Sequence, residues 1–196
     1  MIIGLTGSIA MGKSEVTKIL RTLDIPVFDA DATVHAIYEN GTAAKALAQI
    51  CPEAIVGQRV DRKILSRLIA KDPGLLKPIT TIIHPLVQHA EDEFLRVQTS
   101  GLIVIDSPLI LEAGRAREMD IIIVVSSTPE NQKARALQRL GMTIEKFNLI
   151  NTKQMPDAEK RSWADFTIEN NGTLEELADT TKALIEHIRE KAPTNA

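Results

Sequence analysis

The chain has 196 residues, 44% of them hydrophobic and 25% charged, the make-up of an ordinary globular protein long enough to bury a core. Its 23 Lys and Arg against 26 Asp and Glu leave a formal charge of -3, which argues against sequence-independent nucleic-acid binding, a function that needs a basic surface. One cysteine, Cys51, excludes an internal disulfide and a cysteine-based zinc site, and points to a reducing, cytoplasmic setting.

In chain order, residues 1–5 form a short apolar run of the buried-strand type. After Lys13, the residues Val16, Ile19, Leu20 and Leu23 recur at helical spacing and predict an amphipathic helix. A second strand is expected at residues 25–28, leading into Asp29-Ala-Asp31. Residues 32–98 hold no convincing strand and read as helices joined by turns at Gly57, Pro73-Gly74, Pro78 and Pro85. Residues 102–105, stopping at Asp106, and 121–125, stopping at Ser126, are unbroken apolar runs, as expected of strands covered on both faces. Thr128-Pro129 sets a cap before a helix-starting proline, with Gly141 beyond the end of that helix. Residues 166–168 are the last candidate strand. Thr173 and Glu176 then form a capping-box pattern ahead of Leu177, Thr181, Leu184, Ile185 and Ile188 on one side of a final helix. Residues 192–196 read as a frayed tail, and the sole tryptophan, Trp163, as a core residue. The alternation of strands and helices predicts an α/β protein with a parallel sheet. The longest apolar stretches fall far short of the ~20 residues needed to cross a bilayer, and no Lys or Arg precedes Lys13 as a signal peptide would require.

The chemistry begins at Gly7-Ser-Ile-Ala-Met-Gly12-Lys13-Ser14, which fits G-x-x-x-x-G-K-[ST]. Glycines let the backbone curl so that successive N–H groups face phosphate oxygens, Lys13 reaches the β- and γ-phosphates, and the Ser14 hydroxyl can ligate Mg²⁺. The following helix adds the positive end of its dipole. The motif by itself does not separate a kinase from a GTPase, a motor ATPase or a nucleotide sensor. Asp31 lies just past a strand, where a carboxylate can orient and deprotonate an acceptor hydroxyl or hold Mg²⁺ through water; capping a helix is the competing role for this Asp-Ala-Asp. Asp106 takes the place of a Walker B acid, with a turn or cap as its alternative. Gln132, Arg135 and Arg139 are spaced to share a helix face, either a phosphate clamp or a solvated charged surface. His84, His89 and Cys51 show no metal-ligand spacing.

Taken together and in order, these residues resemble the dephospho-coenzyme A kinase family. The resemblance rests on the opening residues 3–14, Asp29-Ala-Asp31, Asp61-Arg62, His84-Pro85 and residues 106–109 with Glu112. It continues through Gln132, Arg135, Gln138, Arg139, Gln154, Ala164-Asp165 and residues 168–170. It implies a P-loop NTPase fold, a three-layer α/β/α arrangement around a five-stranded parallel sheet, with a helical substrate-binding subdomain and a lid. Within one kinase domain it assigns residues 1–31, 99–130 and 160–192 to the nucleotide-binding core, about 32–98 to the CoA-binding subdomain and about 131–159 to the lid. The implied reaction moves the γ-phosphoryl group of ATP to the ribose 3′-hydroxyl of dephospho-CoA, giving CoA and ADP, the last step of coenzyme A synthesis.

On that basis Asp31, Lys13 and Arg139 are the expected catalytic residues, Asp31 as base and Arg139 with Arg135 on the lid. Nucleotide binding falls to Gly7, Ala10, Met11, Gly12, Lys13, Ser14 and Glu15, with Arg135, and with Asn170 near the adenine. Thr6, Asp31, Arg62, His84 and Pro85 are expected at the substrate, and Ser14 with Asp106 at Mg²⁺. The family usually has Gly where this chain has Ser8 and Ala10, and Ser where it has Met11. Many members have Asp in place of Leu140. Ser8 and Ala10 suit the loop if their φ angles stay negative. The expected partners are the small molecules ATP and dephospho-CoA, without nucleic acid, membrane or obligatory protein partner, for a cytoplasmic monomer. Competing functions are another P-loop kinase, acting on a nucleoside monophosphate or sugar acid, and a GTPase-like switch. The guanine-reading tetrapeptide Asn-Lys-x-Asp does not occur.

Overall fold

A computed structural model describes residues 1–191 of the chain, so the tail expected at residues 192–196 lies outside the described residues. Its first half carries β1 (Ile2–Thr6), α1 (Lys13–Thr22), β2 (Val27–Asp29), α2 (Ala30–Glu39), α3 (Ala44–Leu47), β3 (Ile55–Val56), β4 (Arg59–Val60), α4 (Arg62–Lys71) and α5 (Leu76–Arg96). There follow β5 (Ile103–Asp106), β6 (Ile121–Ser126), α6 (Pro129–Leu137), α7 (Ile144–Lys153), α8 (Asp157–Trp163), β7 (Phe166–Glu169) and α9 (Leu174–Lys191). Five strands form one sheet in the order β2-β5-β1-β6-β7. The sheet is parallel, flanked by helices, and has the P-loop kinase arrangement.

The chain divides into two compact units, one made of Met1–Val27 with everything from Thr99 onward, the other of Phe28–Gln98. In the first unit, strand alternation sorts the β6 side chains onto two faces. Ile123 and Val125 join Ile3, Leu5, Val16, Leu20 and the α9 residues Leu177, Ile185 and Ile188 in one core. Ile122 and Val124 turn the other way, onto Ile110 and Leu111. Burial on both faces is why these strands are unbroken apolar runs. The capping box at the start of α9 is formed, with Thr173 N donating to Glu176 Oε2 at 2.7 Å and Glu176 N to Thr173 Oγ1 at 3.2 Å. Trp163 departs from the expected core position: it ends α8 with 54% of its surface exposed.

The second unit has its own core, with Ile37, Leu47, Leu65, Ile79 and Ile83 among its buried members. Cys51 is buried in it, and burial, followed by the Glu53 carboxylate, pushes its thiol pKa up. Two sequence expectations fail in this unit. A small antiparallel hairpin pairs Ile55 with Val60 and Val56 with Arg59, closed by a turn in which Gly57 takes φ 63°. Strands of two residues are too short to show alternation, so nothing marks them in the sequence. The turns expected at Pro78 and Pro85 are also absent, because α5 runs through both. Pro78 stands in the first turn, where its missing N–H has no partner to lose, whereas Pro85 stands in the helix interior and forgoes one backbone bond.

Candidate active site

The loop between β1 and α1 is shaped by two glycines that admit no side chain. A Cβ on Gly7 would meet the Val125 carbonyl oxygen at 2.6 Å. Gly12 has φ 104°, and a Cβ there would lie 1.8 Å from Asn170 Nδ2. Gly12 is the N-cap of α1 and supplies no side-chain cap. As a result the amides of Ala10, Gly12, Lys13 and Ser14 donate to no protein acceptor among the described residues. Such a cluster of unsatisfied donors at the positive end of a helix has the chemistry to receive a phosphate. Ala10 corrects the expectation of a negative angle: its φ is 61°, in the left-handed region. Its methyl group is buried in a small cluster with Ala136 and Phe147, which holds a side chain where glycine is the easier fit.

Lys13 opens α1, and its ammonium pairs with Asp106, the last residue of β5. The carboxylate is buried, and its other oxygen accepts from Thr17 Oγ1, one helical turn beyond Lys13. Thr17 does not figure in the motif; its signal is a threonine standing between Val16 and Leu20 on the buried side of α1. Ser14 is exposed beside Lys13, and Glu15 pairs with Lys18 at 2.8 Å. The hydroxyl oxygens of Thr6 and Ser8 are buried without a hydrogen-bond partner. Among the described residues no group of three or more His, Cys, Asp or Glu could hold a metal by itself. One buried carboxylate and one exposed hydroxyl instead suit Mg²⁺, which keeps most of its water and takes further ligands from substrate phosphates.

Behind the loop, Asn170 is buried and donates from Nδ2 to the Met11 carbonyl at 3.0 Å. Arg135 on α6 is drawn to the same residue, donating to the Asn170 carbonyl at 2.9 Å and to Ser127 Oγ at 3.2 Å. Gln132 is buried one turn earlier. Arg139 does not share their face. α6 ends at Leu137, the chain tightens as Arg139 N bonds the Ala136 carbonyl at 3.1 Å, and Arg139 stands exposed in the turn before Gly141 at φ 75°. Beside the loop following β5, the fully buried Lys160 of α8 binds the Pro108 carbonyl at 2.8 Å and Glu112 at 2.8 Å, a pair with no outward signal in the sequence.

In the second unit, Asp29 is the N-cap of α2 and accepts from Ala32 N at 2.9 Å. The capping role therefore goes to Asp29, and Asp31 is left exposed in the first turn with no bond to a backbone amide among the described residues. A cleft lined by Arg59, Arg62, Lys63 and Arg67 lies along α4 and the hairpin. Arg62 NH1 is 3.3 Å from His35 Nδ1 at its side. Asp61 caps α4, and the Ile64 amide chiefly holds its carboxyl below the usual value; burial, the next effect, opposes it, and the Lys63 amide with the nearby cations adds to the lowering. His84 and Pro85 are exposed on α5.

The dephospho-CoA kinase family model matches residues 1–176. The chain belongs to that family. It is thus a kinase of the final step of coenzyme A biosynthesis, phosphorylating dephospho-CoA. Among its relatives, a dephospho-CoA kinase of Rhodopseudomonas palustris is 40% identical over 189 residues, covering 95% of this chain and 94% of that one. One from Nitrobacter winogradskyi is 44% identical over 174 residues, covering 87% of each. A crystal structure from Thermus thermophilus, 34% identical, superposes with a TM-score of 0.84 over 96% of this chain and 97% of the other. A shikimate kinase from Acinetobacter baumannii, 16% identical over 98% of this chain and 95% of its own, shares the fold at a TM-score of 0.56.

Proposed function

We propose that the chain transfers the γ-phosphoryl group of ATP, with Mg²⁺, to the ribose 3′-hydroxyl of dephospho-CoA. The bond from the 3′-oxygen to the γ-phosphorus forms, the bond from that phosphorus to the β,γ-bridging oxygen breaks, and ADP leaves. The observation that carries this is the set of amides of Ala10, Gly12, Lys13 and Ser14, unsatisfied among the described residues, at the start of an α1 that has no side-chain cap. Those amides receive the phosphates, as no acceptor among the described residues competes for them. Lys13 then exchanges the Asp106 carboxylate for the β- and γ-phosphates. Asp106 and the Ser14 hydroxyl are the residues that hold Mg²⁺. A bound Mg²⁺ would there supply positive charge to offset that of the phosphate oxygens.

Asp31 accepts the proton of the 3′-hydroxyl as that oxygen attacks. Its freedom from the helix cap, a role Asp29 fills, supports this part for it. Arg139 belongs to the lid over the transferring phosphates, and Arg135 supports the adenine side through Asn170. Thr6 stands by the acceptor. The Phe28–Gln98 unit carries the acceptor through Arg62, His84 and Pro85, with residues around 131–159 as the lid. Both substrates are small molecules, and the protein works as a cytoplasmic monomer.

ADP release from ATP and Mg²⁺, with and without dephospho-CoA, tests the reading. Strong stimulation and a product one phosphate heavier, modified at the 3′ position, is the expected result. ADP formed only with another acceptor would overturn the substrate assignment.

A further inference from the structure

The phosphate loop contains a tight turn, residues 8–11, closed by Met11 N donating to the Ser8 carbonyl at 3.2 Å. Ala10, its third residue, has φ 61° while Ile9 stays on the ordinary side, the pattern of a type II turn. Types I and II differ by a flip of the central peptide, here the one joining Ile9 to Ala10. The third residue sits near about −90° in type I and about +80° in type II, so an alanine there favours type I. The peptide is trans and planar, so the Ile9 carbonyl and the Ala10 N–H point in opposite directions. Whatever holds the carbonyl therefore aims the amide.

That carbonyl is held by Gln132. Its Nε2 donates to Ile9 O at 2.9 Å and to Asn151 Oδ1 at 3.2 Å, which occupies both of its protons. Ile9 O can only accept, so the side-chain orientation of Gln132 is dictated by its partner. Gln132 is 5% exposed, so water does not readily replace the bond. On the neighbouring peptide, Ile9 N donates to Gln154 Oε1 at 2.8 Å, so the turn is gripped from both sides. The Ala10 amide then faces away from α6, and it has no protein acceptor among the described residues.

We propose that Gln132 is a positioning residue of the phosphate loop. It selects the Ile9–Ala10 peptide orientation that presents the Ala10 amide to phosphate, in a turn whose alanine favours the opposite flip. The inference rests on the phosphate-loop part of the proposed function.

The test compares Gln132→Met, which keeps size but cannot donate, in the parent and in an Ala10→Gly background. Glycine takes the positive φ freely, so the turn no longer depends on the glutamine. The readout is the dissociation constant of ATP with Mg²⁺, measured calorimetrically on the full chain. Gln132→Met is expected to weaken ATP binding about ten-fold in the parent and no more than about two-fold in the Ala10→Gly background. Equal losses in both backgrounds, or a loss below about two-fold in the parent, overturn the inference. If Gln132→Met fails to fold by circular dichroism, Gln132→Glu is read by the same comparison, since its carboxylate also cannot donate to the carbonyl. If the parent binds ATP but dephospho-CoA does not stimulate turnover, the substrate reading fails while the affinity comparison still decides the role of Gln132.

Discussion

Lys13 and Asp106 are joined by an ion pair that links the first residue of α1 to the last of β5, with Thr17 Oγ1 donating to the second carboxylate oxygen. The carboxylate side chain is 3% exposed and the ammonium 14%, so the pair lies well out of water. Replacing Lys13 removes both the cation beside a buried acid and the charge aimed at the phosphates. Lys13→Ala is expected to lower kcat/KM by at least about a hundred-fold and to weaken ATP binding as well. Steady-state kinetics with calorimetry checks both, and unchanged values would remove the loop's assigned role.

Asp31 makes the opposite forecast. It is exposed in the first turn of α2 and Asp29 does the capping, so losing its charge leaves the fold intact. Asp31→Asn is expected to cut kcat by about a hundred-fold or more, with the ATP dissociation constant little changed. Turnover within a few-fold of the parent would show that another group takes the proton.

The pair formed by Lys160 and Glu112 concerns stability. Lys160 is 0% exposed and Glu112 20%, so Glu112→Leu strands an ammonium whose remaining partner is the Pro108 carbonyl. A loss of about 3 kcal/mol is expected for that variant, and a smaller one when Lys160→Met is combined with it. Urea denaturation of the single and double variants measures the difference.

Asp61 gives a pH dependence with a definite sign. Its carboxyl is held below its ordinary 3.8, chiefly by the Ile64 amide. A group with a lowered folded-state pKa contributes stability that is complete above 3.8 and is lost as pH falls through the folded-state value. Asp61→Ala should therefore destabilise the protein at neutral pH, with the gap to the parent narrowing below 3.8. A gap that widens in acid would contradict the cap.

The parts of this fold that were legible in the sequence are local ones. Residues 121–125 announce a doubly buried strand by being apolar throughout, and the loop from Gly7 to Ser14 announces itself by fixed spacing. What escaped depends on partners distant along the chain or on lengths too short to carry a pattern. The φ of Ala10 goes with the bond between the Ile9 carbonyl and a glutamine 123 residues further along, and with burial against Phe147. Asn170 fills the space over Gly12 from 159 residues beyond Met11. Arg139 fits the helical spacing of Gln132 and Arg135, yet the helix stops two residues before it, at Leu137. In α5, a 21-residue helix with a long apolar face outweighs the single bond that Pro85 gives up.

Trp163 closes α8 with 54% of its surface in solvent, and it is the chain's only tryptophan. All indole emission therefore comes from one site that is already more than half in water in the folded state. A quencher in solution will find this ring readily in the native state, and its emission shifts less on unfolding than that of a fully buried indole would. The protein thus carries an intrinsic indole label for the end of α8, and a described core without an indole.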